Sequence, residues 1–337
     1  MKILYLIGNG LDLAQGLKTR YSDFYDKYSQ AVDIEISPAA LKLRKEIGKD
    51  YQTWADLELS LGKYTSQVKS EDIEDVYYDI SDALRDYLIK EQSKYTSTEL
   101  ARELAIHDLI KPYETLFPQD KEDISNYIIR HENNSGPRGI IDIDINIISF
   151  NYTNTLEALL SEYRGKVIGQ IRRNSVYLKD IIHIHGTLDS HMIMGVNDTT
   201  QITNDSFKED SSIRDMLVKP ESNGAIRSNN DIVCKYLIEN ADMIIVFGMS
   251  LGATDKIWWE AIGKKILEGT PLIIFEHINQ PLDYKRAHKF GSMRNTVIEK
   301  FTSHLSVRDI DIARISENTF INFSTDFLSN NKDIQTS

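Results

Sequence analysis

The chain has 337 residues and a formal net charge of −12, with 41% hydrophobic and 27% charged residues. This composition is ordinary for a globular protein with a sizeable core, and it excludes a globally disordered chain. The acidic balance disfavours a broad nucleic-acid-binding surface, because such a surface needs clustered lysine and arginine.

Cysteine content and hydropathy limit the class of protein further. The single cysteine, Cys234, excludes a disulfide framework and a zinc module of paired cysteines within this chain. No apolar run approaches the roughly 20 residues of a membrane helix, and no signal-peptide pattern is visible. We therefore expect a cytoplasmic protein without a membrane partner or a metal.

The first predicted element is a buried strand that leads into a glycine turn. Residues 3–7 form a continuous apolar run, as is typical of a parallel strand covered on both faces. Gly8 and Gly10 allow a tight turn and a close approach to a ligand, and a helix opening at Leu11 would direct its amide groups at a bound anion. The turn predicts a nucleotide site, with a plain strand-to-helix turn as the alternative. Leu13 occupies the position of the third glycine in the dehydrogenase pattern Gly-x-Gly-x-x-Gly, so a dehydrogenase-type nucleotide site is disfavoured.

The next hundred residues are helical and polar. We interpret residues 31–138 as a helical insertion in an α/β core that is formed by residues 1–30 and 139–337. The clearest helix spans residues 70–90, with one apolar face and Ser70 as its cap. A second helix is predicted to begin at Thr96, where the sequence Thr-Ser-Thr-Glu matches a capping box.

The function of this insertion is open at the sequence level. It is scaffold with a solvated acidic face, a cap over the active site or a partner surface. Asp56 and Glu58 lie within its Trp-Ala-Asp-Leu-Glu pentapeptide. Either side chain could approach a site or simply cap and solvate a helix.

Strand signals return in the middle of the chain. Isoleucines alternate with polar residues over residues 139–150, which predicts a strand. Asn151 then lies at the carboxyl end of this strand, where open α/β sheets bind ligands. The alternative for a loop asparagine is a turn or cap.

Two histidines follow on a later strand. Short strands are predicted at residues 167–171 and 180–185, and the second carries His183 and His185 on one face. A metal site is disfavoured because no third ligand is near in sequence. One histidine suits a general base, since its ordinary pKa is near 6.5. A hydrogen-bonded histidine at a strand end is the alternative.

The second half completes an α/β pattern. Residues 191–232 are polar and are predicted to form a loop. The predicted elements after it are a strand at 242–250, a helix from about Thr254, a strand at 271–277, helices within 286–305, an edge strand at 319–323 and a fraying tail. A strand, a glycine turn, a helix and a strand in succession predict a right-handed unit of a doubly wound, mostly parallel, Rossmann-like sheet.

Four motifs stand in a fixed order along the chain. They are Gly-Asn-Gly-Leu-Asp at residues 8–12, Phe-Asn-Tyr at 150–152, His-Gly at 185–186 and Gly-Met-Ser-Leu at 248–251. This order resembles the SIR2 class of NAD-binding domains. Together with the residues around them, the motifs more closely resemble the AbiH family, which is associated with bacterial abortive infection against phage.

The resemblance implies a SIR2-like sheet with NAD as ligand or substrate. Asn151 would contact the nicotinamide ribose and orient the attacking group, and His185 would be the general base. The residues that it assigns to nucleotide binding are Gly8, Asn9, Gly10, Asp12, Thr19, Asp23, Gly248 and Ser250. Lys18, Asp12 and Thr153 depart from residues common in SIR2 proteins, and the missing zinc cysteines argue against lysine deacylation.

We therefore expect an anti-phage effector that hydrolyses NAD at its nicotinamide-ribose bond. The alternative is a sensor module that binds NAD or an ADP-ribose-type nucleotide without turnover. An effector acting on nucleic acid is the least favoured hypothesis. The expected partner is a small-molecule nucleotide, and a phage-derived trigger and a homo-oligomer are left open.

Overall fold

A computed structural model of the protein describes residues 1–31, 36–134, 140–278, 288–323 and 326–330. Its strands are β1 (Lys2–Ile7), β2 (Ile143–Ser149), β3 (Val167–Ile171), β4 (Asn174–His183), β5 (Met243–Phe247), β6 (Leu272–Phe275) and β7 (Thr319–Asn322). They form one 7-stranded sheet in the order β3-β4-β2-β1-β5-β6-β7.

The sheet is parallel except at one edge. The strands β3 and β4 form an antiparallel hairpin, and every other neighbouring pair is parallel. Renumbered without β3, the parallel strands run in the order 3-2-1-4-5-6, a doubly wound order. The predicted α/β class and mostly parallel sheet are confirmed, and β7 is the predicted edge strand.

Helices account for most of the remaining described chain. Those of the first half are α1 (Gly10–Ala14), α2 (Tyr21–Tyr28), α3 (Pro38–Lys49), α4 (Leu57–Tyr64), α5 (Ile73–Gln92), α6 (Glu99–Ile110), α7 (Pro118–Asn134) and α8 (Thr155–Leu160). Those of the second half are α9 (Asp205–Glu209), α10 (Ser211–Leu217), α11 (Lys219–Ala225), α12 (Asn230–Glu239), α13 (Lys256–Leu267), α14 (His288–Thr302) and α15 (Asp309–Glu317). Among these helices, none has both the length and the apolar character of a membrane span.

Both faces of the sheet are covered, because alternate strand residues point to opposite sides. Ile3, Tyr5 and Ile7 of β1 pack in one cluster with α6, α7 and α8. Leu4 and Leu6 pack in another cluster with α12, α13, α14 and α15. This arrangement explains why the predicted run at residues 3–7 has no polar position.

A separate hydrophobic cluster lies outside the sheet. The helices α2 to α5 pack there with residues of the segment 188–218, including Leu188 and Leu217. An ion pair between Arg44 and Asp79 joins α3 to α5. The helices α6 and α7, by contrast, belong to a layer on the sheet. The division of the chain into residues 1–30 with 139–337 and an insertion at 31–138 stays a prediction.

Two predicted helix starts are wrong. The helix α5 begins at Ile73 and its N-cap is Asp72 rather than Ser70. The helix α6 begins at Glu99, and its cap is Thr98, whose hydroxyl accepts from Ala101 N at 3.1 Å. Ser97, which lies before the helix, donates from its Oγ to Ala158 O of α8 at 2.6 Å.

The predicted loop at residues 191–232 is also wrong in part, because it contains α9, α10, α11 and the start of α12. These short helices bury few side chains each, such as Phe207 and Leu217, so their sequence lacks a long periodic pattern. The predicted strand at 180–185 is the end of a longer strand that begins at Asn174 and stops at His183.

Smaller differences concern element boundaries. The helix α13 begins at Lys256, after a 3₁₀ turn at Ala253–Asp255. The strand β2 begins at Ile143, and the first residue of its predicted range, Gly139, lies outside the described residues. Residues 281–287 and the predicted tail at 331–337 also lie outside them.

Candidate functional site

Asn151 and His185 leave the sheet at the same edge. Ser149 at the end of β2 is paired with His183 at the end of β4, and Ile184 N donates to Ser149 O at 3.0 Å. Each of the two side chains is therefore two residues beyond a paired position on adjacent parallel strands. Both are buried, with 6% of Asn151 and 5% of His185 exposed.

These two side chains carry buried polar atoms without a partner. Oδ1 and Nδ2 of Asn151 and Nδ1 of His185 have no hydrogen-bond partner among the described residues. A buried polar atom left unpaired costs about 1–3 kcal/mol, so folded proteins rarely retain one without a reason. Three such atoms at one sheet edge make this edge the candidate functional site.

A buried charged cluster adjoins His185. Lys219 Nζ lies 2.6 Å from Glu58 Oε2, 3.4 Å from Asp255 Oδ1 and 3.5 Å from His185 Nε2. His185 Nε2 also lies 3.5 Å from Asp255 Oδ1. The cluster brings together α4, α11, the 3₁₀ turn and the end of β4.

Glu58 is held in this cluster by further polar contacts. Its Oε1 lies 3.1 Å from the Tyr152 hydroxyl and accepts from Gly195 N at 3.3 Å. Asp56 instead caps α4, where its Oδ1 accepts from Leu59 N at 3.0 Å. The two acidic residues whose roles the sequence left open thus have different positions.

The sequence predictions missed Lys219 and Asp255. Asp255 lies four residues beyond the Gly-Met-Ser-Leu motif at 248–251, so its closeness to that motif was a usable signal. Lys219 lies in the segment that was predicted as a loop, where no local pattern distinguished it from other lysines.

The cluster changes the pKa values of its members. Burial lowers the pKa of His185 to about 4, and the Lys219 charge adds to this effect while Asp255 opposes it. For Asp255, burial raises the pKa, but Lys219 and His185 outweigh it and bring the pKa to about 2. Burial lowers the pKa of Lys219, yet Asp255 and Glu58 raise it above its usual value. At neutral pH, His185 is therefore a neutral imidazole beside a charged ion pair.

His183 has a different environment from His185. Its Nε2 lies 2.6 Å from Glu157 Oε1 and its Nδ1 lies 2.9 Å from Asn151 O. Both neighbours can accept a hydrogen bond, so an imidazolium, which donates from both ring nitrogens, would satisfy both contacts. Burial lowers the pKa of His183, but the hydrogen bond and charge of Glu157 outweigh it and raise the pKa. His183 therefore fixes the backbone of Asn151.

The glycines of the first turn contact another loop of the protein. Gly8 N donates to Phe247 O at 2.9 Å, and Gly10 N donates to Gly248 O at 2.8 Å. A Cβ on Gly10 would lie 2.3 Å from the Gly248 Cα, and Gly248 has a φ of +68°. Close packing of two backbones thus requires these glycines. Their predicted contact with a diphosphate stays a prediction.

Other residues predicted to bind nucleotide stabilise local structure. Asn9 Nδ2 donates to Thr19 O at 2.9 Å, and Thr19 Oγ1 donates to Asn9 Oδ1 at 2.6 Å. Asp23 Oδ2 accepts from Arg20 N at 3.3 Å at the start of α2. Ser250 is exposed beyond β5.

Asp12 lies under the loop that follows β2. It is 1% exposed, and Thr153 Oγ1 lies 2.8 Å from both of its carboxylate oxygens. Burial raises the pKa of Asp12 to about 6, against hydrogen bonds from Thr155, Thr153 and Thr19 that lower it. Asp12 thereby links α1 to the segment that carries Asn151.

A surface cleft of about 450 Å³ borders the charged cluster. Its lining includes Val218 and Pro220, on either side of Lys219, and Lys256, which follows Asp255. Within the part of the chain that the structure describes, no group of three or more histidine, cysteine, aspartate and glutamate side chains could hold a metal ion.

One comparison with known proteins gives a match. A family model described as "Bacteriophage abortive infection AbiH" matches residues 4–276. The matched range includes Glu58, Asn151, His185, Lys219 and Asp255. No curated protein matches the chain.

Proposed function

Because the chain belongs to the AbiH family of bacteriophage abortive infection proteins, we propose that it is an abortive-infection effector that hydrolyses NAD at the nicotinamide-ribose bond. The observation that carries the proposed chemistry is the set of unpartnered atoms on Asn151 and His185 at one sheet edge. A planar amide with a free donor and a free acceptor suits the hydroxyl groups of a ribose. A neutral imidazole with an unpartnered nitrogen suits the activation of one water molecule.

The proposed reaction breaks one bond and forms another. The bond from ribose C1′ to the nicotinamide nitrogen breaks, and its electron pair stays with nicotinamide, which leaves as a neutral molecule. A water oxygen bonds to C1′, and the water loses a proton to His185. The products are nicotinamide, ADP-ribose and one proton. Burial of the site limits the approach of other water molecules to the oxocarbenium-like centre.

Asn151 and His183 have separate parts in this proposal. The Asn151 amide orients the ribose and the attacking water, an effect of position rather than of proton transfer. His183 does not meet the substrate but holds the Asn151 backbone through its carbonyl. In an infected cell, this hydrolysis would deplete NAD. The start of hydrolysis is therefore assigned to a phage-derived trigger.

Release of nicotinamide by the purified protein tests this function. We expect the wild type to convert NAD into nicotinamide and ADP-ribose, and His185→Ala to lower the rate by about 10²- to 10⁴-fold, the usual contribution of a general base. Asn151→Ala should also lose activity. His107→Ala is the matched control, because His107 is 55% exposed on α6. Absence of turnover by the wild type, alone and with lysate from infected cells, would refute the proposal.

The second candidate is a sensor that binds NAD or an ADP-ribose-type nucleotide without turnover. The low pKa of His185, about 4, favours it, because a base is most effective when its pKa is near the working pH. Calorimetry and product analysis on the same sample separate the two functions. Tight binding of NAD without nicotinamide release identifies the sensor.

A further inference from the structure

The position of one proton decides whether His185 can act as a base. A neutral imidazole carries its proton on either Nδ1 or Nε2. His185 Nε2 faces Asp255 Oδ1 and Lys219 Nζ, both at 3.5 Å. Nδ1 has no partner among the described residues. Only the form with the proton on Nε2 leaves Nδ1 free to accept a proton.

The neighbouring contacts favour the proton on Nε2. Lys219 has closer acceptors than the imidazole, since Glu58 Oε2 lies at 2.6 Å and Asp255 Oδ1 at 3.4 Å. A proton on Nδ1 would be a buried donor without an acceptor, and buried N–H groups without acceptors are rarer than unpaired acceptors. A proton on Nε2 instead points at the Asp255 carboxylate. Hydrogen bonds in such sites are often long before the ligand binds.

The charges next to His185 act in opposite directions on its acceptance of a proton. Lys219 contributes one positive charge, and Glu58 and Asp255 contribute one negative charge each. The cluster therefore keeps one net negative charge while His185 is neutral. The Asp255 carboxylate that faces the ring favours an imidazolium at His185, while burial and the Lys219 charge oppose it.

We propose that Asp255 is a positioning residue whose carboxylate accepts a hydrogen bond from the Nε2–H group of His185 and so keeps Nδ1 as the free base. Lys219, which Glu58 holds from α4, orients Asp255 from the other side. The charged groups that face His185 are Lys219 of α11 and Asp255 of the 3₁₀ turn, while the Phe150 ring packs against it at 5.5 Å. Glu58 contacts Lys219, which in turn faces His185. Asp56 caps α4, the helix that carries Glu58.

This inference rests on the proposed function, since it gives His185 the role of base, but its test needs no substrate. The experiment is ¹⁵N NMR of the full chain at pH 7.5, with long-range correlations that show which ring nitrogen carries the proton. The His185 signal is assigned from its loss in His185→Gln. We expect the Nε2–H form in the wild type. An Nδ1–H form would overturn the proposal, and this spectrum needs no variant of Asp255.

Two variants test the cause of the Nε2–H form. In Asp255→Ala, Nε2 keeps only Lys219 as a neighbour and becomes an acceptor, so we expect a switch to the Nδ1–H form. In Lys219→Met, Asp255 remains and the Nε2–H form should persist. An unchanged tautomer in folded Asp255→Ala would show that Asp255 does not set it.

Measurement of nicotinamide release separates this inference from the proposed function. If the protein hydrolyses NAD, Asp255→Ala should lower the rate by roughly 10²- to 10⁴-fold, because the free base is lost. If the His185 tautomers are as expected but NAD is not hydrolysed, the hydrolase function is refuted and the role of Asp255 is retained. Turnover by a wild type that has the Nδ1–H form would refute the role of Asp255 alone.

Discussion

Asp12 shows how burial alone makes one carboxyl group sensitive to pH. Its pKa rises to about 6 in the folded protein from 3.8, chiefly because it is removed from water. The folded protein then binds a proton more tightly than the unfolded chain does. The contribution of Asp12 to stability is present below pH 3.8 and is lost as the pH rises through about 6.

Asp12→Asn should remove this pH dependence. The difference in free energy of unfolding, variant minus wild type, should increase by about 2–3 kcal/mol between pH 4 and pH 7. This increase follows from the pKa shift at about 1.36 kcal/mol per pKa unit. Urea unfolding at both pH values measures this. The variant also loses hydrogen bonds to Thr153. This loss shifts its free energy of unfolding equally at pH 4 and pH 7, so it does not affect the change between the two pH values. Asp26→Asn is an exposed control, and a pH-independent difference between Asp12→Asn and the wild type would contradict the prediction.

The two histidines near the end of β4 illustrate the effect of surroundings on one residue type. His183 lies between a carboxylate and a carbonyl, and the carboxylate raises its pKa, whereas His185 is buried beside an ammonium group and its pKa is lowered. Only His185 combines a neutral ring with an unpartnered nitrogen. The choice between the histidines therefore depends on their neighbours rather than on their position along the strand.

At the scale of elements, the turns after β1 and β5 form one packed unit. Gly10 N donates to Gly248 O at 2.8 Å, and the two Cα atoms leave no room for a side chain at either position. These turns follow adjacent parallel strands at the point where the strand order reverses, which is where doubly wound sheets bind ligands. The two packed turns therefore lie at the same edge of the sheet as the candidate site, and their packing does not depend on which ligand that site holds.

Gly10→Ala should destabilise the protein without any ligand. A Cβ there would lie 2.3 Å from the Gly248 Cα, so backbone must move, and we expect a loss of about 3 kcal/mol or more. Thermal or urea unfolding measures the loss. Gly224→Ala is the matched control, because nothing lies within 4 Å of a Cβ at that helical position. The control should be about 0.5–1 kcal/mol more stable than the wild type. Equal stability of Gly10→Ala and the wild type would refute the packing argument.

At the scale of the whole molecule, the buried ion pair between Glu58 and Lys219 joins α4 to the segment before β5. The hydrophobic cluster around α4 contains residues of the same segment, including Met194 and Leu217. The helix α4 therefore lies beside the candidate site and is tied to it by this ion pair. A change in their position would move Lys219 away from Asp255.

Glu58→Gln should be strongly destabilising, because it leaves the buried Lys219 ammonium without its closest partner. Loss of one member of a buried pair costs about 3–5 kcal/mol. A double-mutant cycle with Lys219→Met should give a coupling free energy of more than about 1.5 kcal/mol in urea unfolding. The same cycle on the surface pair of Asp205 and Lys208 should give less than about 1 kcal/mol. Similar coupling in the two cycles would contradict the structural role of Glu58.

Local patterns in the sequence determined much of the fold. A continuous apolar run, an isoleucine alternation and the spacing of glycines predicted β1, β2, β5 and the mostly parallel sheet. These signals suffice because side-chain periodicity follows directly from strand geometry. The rule that ligands bind at the carboxyl ends of parallel strands also singled out Asn151, whereas the choice of His185 over His183 came from the family resemblance. The short helices between residues 205 and 225 lacked such signals.

Only the tertiary structure decided how the candidate site is completed. Glu58, Lys219 and Asp255 are far apart in the chain, and each occurs in a local sequence that is compatible with an exposed charge. Folding brings Glu58 Oε2 and Asp255 Oδ1 within 3.4 Å of Lys219 Nζ, removes most of the three side chains from water and thereby changes their pKa values. Burial and charge pairing depend on distances across the fold, and no periodicity along the chain records those distances.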